Sequence, residues 1–312
     1  MKGTSLQPYF RTKWGRAYHS SIEHFLIDRS AQTLKDKTNL IFTSPPFPLQ
    51  NPKKYGNLRG QDYVQWLANV VEQLVPFLTP DGSLVIEIGN AWNKGEPTMS
   101  IVPMETLITL ARMTDLTLCQ QFVWHNSAKL PGPAEWVTKK RVRVTDSFTH
   151  IWWFAKGANP KANNRNVLTP YSEGMKTLLR RQTYNSGSRP SGHAISRQGF
   201  LTDNQGSIPR SFLDDSDMLH DATASLVSAN TTTDAKYRAW CQERNLHLHP
   251  ATMAPQVVDF FIRFLTESGD LVFDPFGGSC VTGYVAQSLE RRWICVEPTK
   301  DYLAGARGRF AG

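Results

Sequence analysis

Five residues early in the chain, Thr43-Ser44-Pro45-Pro46-Phe47, put a hydroxyl, two prolines and an aromatic ring into one short loop. The prolines fix the backbone and remove two N–H donors. That leaves the Ser44 hydroxyl and free carbonyls as acceptors, which suit a planar amino group. On cytosine or adenine the lone pair of such a nitrogen is delocalised into the ring and becomes nucleophilic only as the nitrogen pyramidalises. Acceptance of its two hydrogens by Ser44 Oγ and the Pro45 carbonyl favours that geometry, and Phe47 offers a stacking face. The same five residues also read as a Pro-rich connection with a partly buried Phe.

A second constellation lies near the C-terminus. Leu271-Val272-Phe273-Asp274-Pro275-Phe276-Gly277-Gly278-Ser279 reads as a strand feeding a glycine turn and then a helix. Glycines there let the backbone approach a ligand closely, and helix N-terminal N–H groups meet a carboxylate or phosphate. Asp274 suits an ammonium group. The next strand ends at Glu297, where doubly wound folds commonly hold ribose hydroxyls. The set is compatible with a nucleoside cofactor bearing an amino acid, such as S-adenosylmethionine, or with an ordinary strand–turn–helix carrying exposed acids. No Gly-Lys-Ser/Thr follows, which argues against a P-loop. Lys139-Lys140-Arg141-Val142-Arg143 places four bases in five residues, fit for phosphate contact or for a solvated charged face.

These groups need elements to hold them. Asn39–Phe42 reads as a buried strand running into the Pro-rich loop. Val64, Leu67, Val71 and Leu74 mark one face of a helix, with Asp62 as N-cap and Gln65 three residues on. Pro76 stops that helix, and Pro80-Asp81-Gly82 predicts a turn before a strand over Ser83–Ile88. Met104–Met113 reads as helix, and Leu118–Trp124 and Phe148–Ala155 as strands. Trp152 and Trp153 sit in a strand pattern and belong to the core. Downstream, Val257–Leu265 and Val281–Leu289 read as helices and Trp293–Val296 as a strand. Strands separated by helices predict a mostly parallel sheet covered on both faces.

Between these halves the character changes. Residues 157–210 carry eight Lys or Arg against two acids, are rich in Gly, Ser, Asn and Pro, and lose regular periodicity. Residues 211–234 carry five aspartates and no base. A two-part segment of this kind reads as an insertion into an α/β core. Arg180, Arg181, Arg189 and Arg197 are its candidates for reading guanine edges or gripping phosphates, beside the plainer reading of a solvated basic loop. The aspartate stretch would repel DNA.

The whole chain has 312 residues and a formal net charge of +8, about two domains or one elaborated domain. No run of eighteen apolar residues predicts a membrane span, and the polar Met1–Trp14 lacks a secretory core. Cys119, Cys241, Cys280 and Cys295 lie far apart without zinc-like pairing, so no metal site is expected and a reducing cytosolic setting fits.

Taken together, Thr43-Ser44-Pro45-Pro46-Phe47 and Asp274-Pro275-Phe276-Gly277-Gly278-Ser279 resemble the amino-methylating DNA methyltransferases of restriction–modification systems. The catalytic motif comes first and the cofactor motif last, as in their beta class. Weaker matches extend over most of the chain: Lys54-Tyr55-Gly56-Asn57, Lys129-Leu130-Pro131, Glu135-Trp136-Val137, Ile151-Trp152-Trp153-Phe154, Arg189-Pro190-Ser191-Gly192-His193, Gly206-Ser207-Ile208-Pro209 and His249-Pro250-Ala251. The Ser-Pro-Pro form is typical of N4-cytosine enzymes; Asp- or Asn-Pro-Pro-Tyr is more typical of N6-adenine enzymes.

The resemblance implies an α/β, Rossmann-like S-adenosylmethionine-dependent methyltransferase fold with permuted motif order and an inserted target-recognition region. It implies a catalytic half over 1–156, the insertion over 157–248 and a cofactor half over 249–312. By the same resemblance Ser44, Pro45, Pro46 and Phe47 form the catalytic loop. Asp274, Phe276, Gly277, Gly278, Ser279 and Glu297 hold the cofactor, with His249, Pro250 and Ala251 closing over its methionine. Lys139, Lys140, Arg141 and Arg143, with the four insertion arginines, face double-stranded DNA. A bacterial-type cytoplasmic protein, monomer or weak dimer, is expected. A cognate restriction endonuclease would act on the same site without a stable complex. The sequence departs from the family at His19-Ser20, where Gly-Asp is usual, and at Cys280, where Gly is usual. Adenine N6 methylation, a catalytically silent DNA-binding protein on this scaffold, and an RNA or protein methyltransferase are the alternatives.

Overall fold

A computed structural model describes residues 5–48, 58–127, 129–196, 198–214 and 235–311. The Lys54–Asn57 motif, Arg197 and residues 215–234 of the aspartate stretch fall outside them. The N-terminal half runs β1 (Phe10–Arg11), β2 (Gly15–His19), α1 (Ile22–Ile27), α2 (Arg29–Gln32), β3 (Thr38–Thr43), α3 (Gly60–Leu74), β4 (Leu78–Gly89), α4 (Val102–Met113), β5 (Thr117–His125) and β6 (Phe148–Ala155). The middle carries α5 (Glu173–Arg181), β7 (Gly187–Ser188), β8 (Ala194–Ile195), β9 (Phe212–Leu213) and α6 (Ala235–Glu243). The C-terminal part is α7 (Pro255–Leu265), β10 (Leu271–Asp274), α8 (Val281–Ser288), β11 (Arg292–Glu297) and α9 (Lys300–Phe310).

Nine strands form one sheet in the order β1-β2-β11-β10-β3-β4-β6-β5-β9. It is parallel from β2 to β4, while β6 runs antiparallel to both β4 and β5. Successive strand residues feed opposite faces. Ile41, Trp152, Phe154, Phe273, Ile294 and Val296 pack with α1, α3 and α4 on one face. Leu40, Phe42, Ile151, Trp153, Val272 and Trp293 pack with α7, α8 and α9 on the other. Burial on both sides explains why these strands read as near-continuous apolar runs, and it puts Trp152 and Trp153 in the core as expected.

Several local expectations are corrected. The N-cap of α3 is Arg59, without a side-chain cap bond. Asp62 instead sits in the first turn, where its carboxylate still faces the positive end of the helix. Pro80-Asp81-Gly82 is no separate turn. It lies within β4, where pairing with β3 jumps from Thr38↔Leu78 to Leu40↔Ser83, so residues 79–82 bulge out. The bulge is tied by Thr79 Oγ1 donating to Asp81 Oδ1 at 2.8 Å and by Lys161 N donating to Asp81 O at 2.9 Å. The basic middle is less irregular than its composition suggests. Ser172 caps α5 through its side chain, and Gln182 closes the helix in the left-handed region. Its short apolar face, Met175, Leu178 and Leu179, is only half-buried, and the surrounding bases hide it in the sequence.

The strand order reverses direction between β10 and β3, since the chain leaves β3 for one side and β10 for the other. Ligands in open α/β sheets bind at such a point, beyond the C-terminal ends of the strands. Both motifs singled out from the sequence end there.

Candidate active site

A cleft of about 520 Å³ opens at this switch point, within the roughly 300–1,000 Å³ usual for small-molecule sites. It brings together Ser44, Pro45, Pro46 and Phe47 with Asp274, Phe276, Gly277, Gly278, Ser279, Glu297, His249 and Ala251. Pro250 does not line it. The two motifs, about 230 residues apart in sequence, are joined directly: Thr43 Oγ1 donates to Asp274 Oδ1 at 2.8 Å.

The catalytic loop rests on a buried acid that the sequence reading missed. Glu87, near the end of β4, is buried. It accepts a hydrogen bond from Thr149 Oγ1 at 2.8 Å and one from the Ser44 hydroxyl. Burial raises its pKa, against the hydrogen bonds from Thr149 and Ser44 and the charge of Lys129. With its proton committed to Glu87, Ser44 Oγ keeps its lone pairs for a donor in the cleft. A signal existed: Glu87 is the one charge in the strand run Leu84-Val85-Ile86-Glu87-Ile88, and an acid amid buried apolar residues needs partners. Behind it lies a polar network. Lys129 Nζ donates to Asp146 Oδ2 at 2.6 Å, Asn90 Nδ2 to Asp146 Oδ1 at 2.8 Å, and His150 Nε2 lies 3.0 Å from Asn90 Oδ1. Phe47 is set by Gly89, because a Cβ there would come within 2.5 Å of the Phe47 ring.

On the other wall, Asp274 Oδ2 accepts from Thr282 Oγ1 at 2.7 Å, and Oδ1 from Phe276 N at 3.1 Å. Burial pushes its pKa up to about 6, against the hydrogen bonds of Thr282, Thr43 and Phe276. Glu297 Oε2 accepts from Gly278 N at 3.0 Å and Oε1 from Thr299 N at 2.8 Å, which fixes the carboxylate while each oxygen keeps a lone pair. Burial raises the Glu297 pKa as well. His249 lies over the glycine turn with its ring edge-on to Tyr302. Ser279 is clamped by Arg309, whose Nη2 donates to Ser279 Oγ at 3.0 Å. Ile22, Trp66, Phe276 and Met253 add apolar wall, and the Trp66 and Phe276 rings lie 5.5 Å apart.

Gly278 has φ +49, and a Cβ there would sit 3.0 Å from His249 Nε2. Gly278→Ala is therefore expected to cost about 1–2 kcal/mol of stability from backbone conformation alone. It should also weaken nucleoside binding about tenfold or more by displacing His249, since about 1.4 kcal/mol is a factor of ten. Thermal melting and a calorimetric titration check the two effects separately.

Both departures from the family pattern have a local account. His19 Nε2 lies 3.0 Å from Pro298 O, and Ser20 Oγ donates to Ser21 O at 2.9 Å, so neither supplies an acid. A carboxylate does reach the cleft nearby: Glu23, which accepts from Trp66 Nε1 at 2.9 Å. Burial raises the Glu23 pKa, but hydrogen bonds from Trp66, its own N–H and Ser21 outweigh it and bring it below the usual value. Cys280 has φ +55, a left-handed backbone where glycine is at home. It is buried, as is Cys295.

The basic candidates are spread out. Lys139 and Lys140 both reach Glu135, at 3.3 and 3.6 Å, and Lys140 also lies over the Trp136 ring. Arg141 is exposed. Arg143 is stacked on Trp92, its guanidinium carbon 3.0 Å from the ring centroid, so it is less free to reach a phosphate than its sequence neighbours. Arg180 and Arg181 are exposed on α5, whereas Arg189 is half-buried and donates to Asn185 O at 2.9 Å. Among the described residues no group of three or more His, Cys, Asp or Glu is arranged to hold a metal, and no helix is long and apolar enough to cross a membrane.

Comparisons with known proteins bear on this geometry. Residues 38–307 match the family model described as DNA methylase. The chain is 39% identical over 300 residues to the Type II methyltransferase M.PvuII of Proteus hauseri, covering 94% of this chain and 85% of that one. The solved structure of PvuII DNA methyltransferase (cytosine-N4-specific) superposes with a TM-score of 0.75 at 31% identity, over 99% of this chain and 90% of that one. A DNA modification methylase of Thermus thermophilus, solved in complex with S-adenosyl-L-methionine, shares the fold at 16% identity with a TM-score of 0.55, over 95% and 92% of the two chains.

Proposed function

This chain belongs to the DNA methylase family, and we propose that it is a site-specific DNA methyltransferase acting on the N4 amino group of cytosine in duplex DNA, with S-adenosylmethionine as methyl donor. The observation that carries the reading is the Ser44–Glu87 pair held beside the glycine turn by the Thr43–Asp274 bond. The similarity to PvuII methyltransferase, a cytosine-N4-specific enzyme, supports the choice of cytosine. Its likeness to a Type II enzyme supports a role in protecting DNA within a restriction–modification system. The extension to a cognate endonuclease, a cytoplasmic location and a monomer or weak dimer goes with that role.

The residues lining the cleft fit the cofactor. The glycine turn offers bare backbone, Glu297 is fixed for ribose hydroxyls, Asp274 faces an ammonium, and Trp66 with Phe276 gives a flat apolar corner. S-adenosylmethionine supplies a sulfonium methyl electrophilic enough for an amine to take directly. Ser44 Oγ and the Pro45 carbonyl accept the two amino hydrogens, hold the nitrogen pyramidal and free its lone pair. Phe47 stacks on the base. The proton that the nitrogen sheds passes through Ser44 Oγ to Glu87, which burial makes a stronger base than an exposed carboxylate. Among the described residues no cysteine lines the cleft, which disfavours a covalent route through ring carbon 5. A base stacked in a duplex reaches this cleft only by flipping out, at a cost of about a few kcal/mol. Residues 157–248, with exposed Arg180 and Arg181, are our candidate for target recognition.

Sequencing of DNA from cells expressing the protein, by a method that separates N4-methylcytosine from N6-methyladenine, tests the reading. N4-methylcytosine at one short motif is expected. N6-methyladenine would overturn the assignment of the base, and unmodified DNA with folded protein would overturn the activity.

Asp274 adds a pH dependence. Its carboxyl is protonated below about 6, and a protonated acid loses its attraction for an ammonium. Cofactor affinity is expected to be flat from pH 7 to 8 and to fall as pH drops through about 6; calorimetry across that range checks it. The sign for the free protein is opposite. The raised pKa means that stability is lost as pH rises from 3.8 through about 6.

A further inference from the structure

The loop between β5 and β6, residues 126–147, leaves the sheet at the end that carries Glu87 and Thr149. Its base is fastened by Lys129, whose Nζ donates to Asp146 at 2.6 Å and to Phe148 O at 3.1 Å. Lys129 is close enough to Glu87 to lower its pKa by charge. Immediately beyond this anchor comes Leu130-Pro131-Gly132-Pro133, and Leu130 is 83% exposed. The far limb of the loop holds two more exposed apolar side chains, Val142 at 61% and Val144 at 86%. The loop has five bases and two acids.

An anchored, basic loop with apolar side chains held out in water is matched to a polyanion with an apolar interior, which is what duplex DNA offers between its base pairs. Proline after Leu130 restricts the backbone on both sides of that bond, so little freedom is lost on insertion. We propose that Leu130 is the wedge that enters the duplex where the target base has left it. This rests on the reading of the chain as a DNA-base methyltransferase. Removal of one base leaves its two neighbours unstacked, and an apolar side chain between them restores part of that contact. Leu130 suits the task better than Val144, because leucine reaches one carbon further and Val144 follows Arg143, which is committed to Trp92.

The test uses a duplex carrying the motif found by sequencing, with fluorescent 2-aminopurine at the target position. Wild-type protein is expected to raise the fluorescence several-fold, Leu130→Ala to lose most of that rise, and Val144→Ala to keep it. Turnover of Leu130→Ala on a normally paired target should fall about tenfold, and recover to within about twofold of wild type when the target cytosine is mispaired and easier to extrude. Equal flipping by Leu130→Ala and wild type would overturn the wedge. So would an equal loss on paired and mispaired duplexes, which marks damage to the loop. No fluorescence rise with wild-type protein would overturn base flipping itself, and the wedge with it.

Discussion

Replacing Ser44 with alanine is expected to lower turnover on duplex DNA about a hundredfold or more, with S-adenosylmethionine affinity within about twofold of wild type. The two effects separate because Ser44 belongs to the amino-group side of the cleft. The cofactor side is organised by Asp274, Glu297 and the glycine turn, whose hydrogen bonds do not involve Ser44. Alanine removes both jobs of the hydroxyl at once, the acceptor for one amino hydrogen and the path to Glu87. Glu87 keeps Thr149, so the buried acid is not left without a partner, and thermal melting should move little. Single-turnover methyl transfer and calorimetric cofactor binding make the comparison. Equal turnover in the two proteins would remove Ser44 from the chemistry.

How much of this site the sequence shows depends on whether a residue acts through its neighbours in the chain or across the sheet. Thr43–Phe47 and Asp274–Ser279 are each contiguous, and each follows an apolar strand run, so both are legible along with their place at strand ends. Glu297 is legible for the same reason. Glu87 becomes a partner of Ser44 only when β4 pairs with β3 in the register Phe42↔Val85 and Thr43↔Ile86. Its third element, Thr149, needs the antiparallel return of β6. No local pattern announces either register. Alternation with helices is a strong guide to a parallel sheet, and the departures lie where local chemistry competes with it. Pro80-Asp81-Gly82 has turn residues, yet the strand bulges around them and continues. Arg143 looked like one of four equivalent phosphate contacts, but its flat guanidinium found the Trp92 face, a partner about fifty residues away that composition does not reveal.

Glu87→Gln should be as damaging to turnover as Ser44→Ala, about a hundredfold or more, and it separates the proton path from the shape of the site. Glutamine matches the carboxylate in size and still accepts from Thr149, so Phe47 and the loop should stay in place and cofactor affinity should hold. What is lost is the base. In the wild-type protein burial raises the Glu87 pKa, so the rate constant for transfer is expected to climb with pH as the carboxylate ionises and then level off. In Glu87→Gln that limb should be absent. Stability gives an independent reading with a definite sign. A carboxyl whose folded pKa lies above its unfolded value favours the folded state at low pH and loses that contribution as pH rises through the folded pKa. Glutamine has no such cost. The melting temperature of Glu87→Gln relative to wild type is therefore expected to increase from pH 5 to pH 8. A constant difference across that range, or an acid limb that survives the substitution, would place the titrating base elsewhere in the cleft.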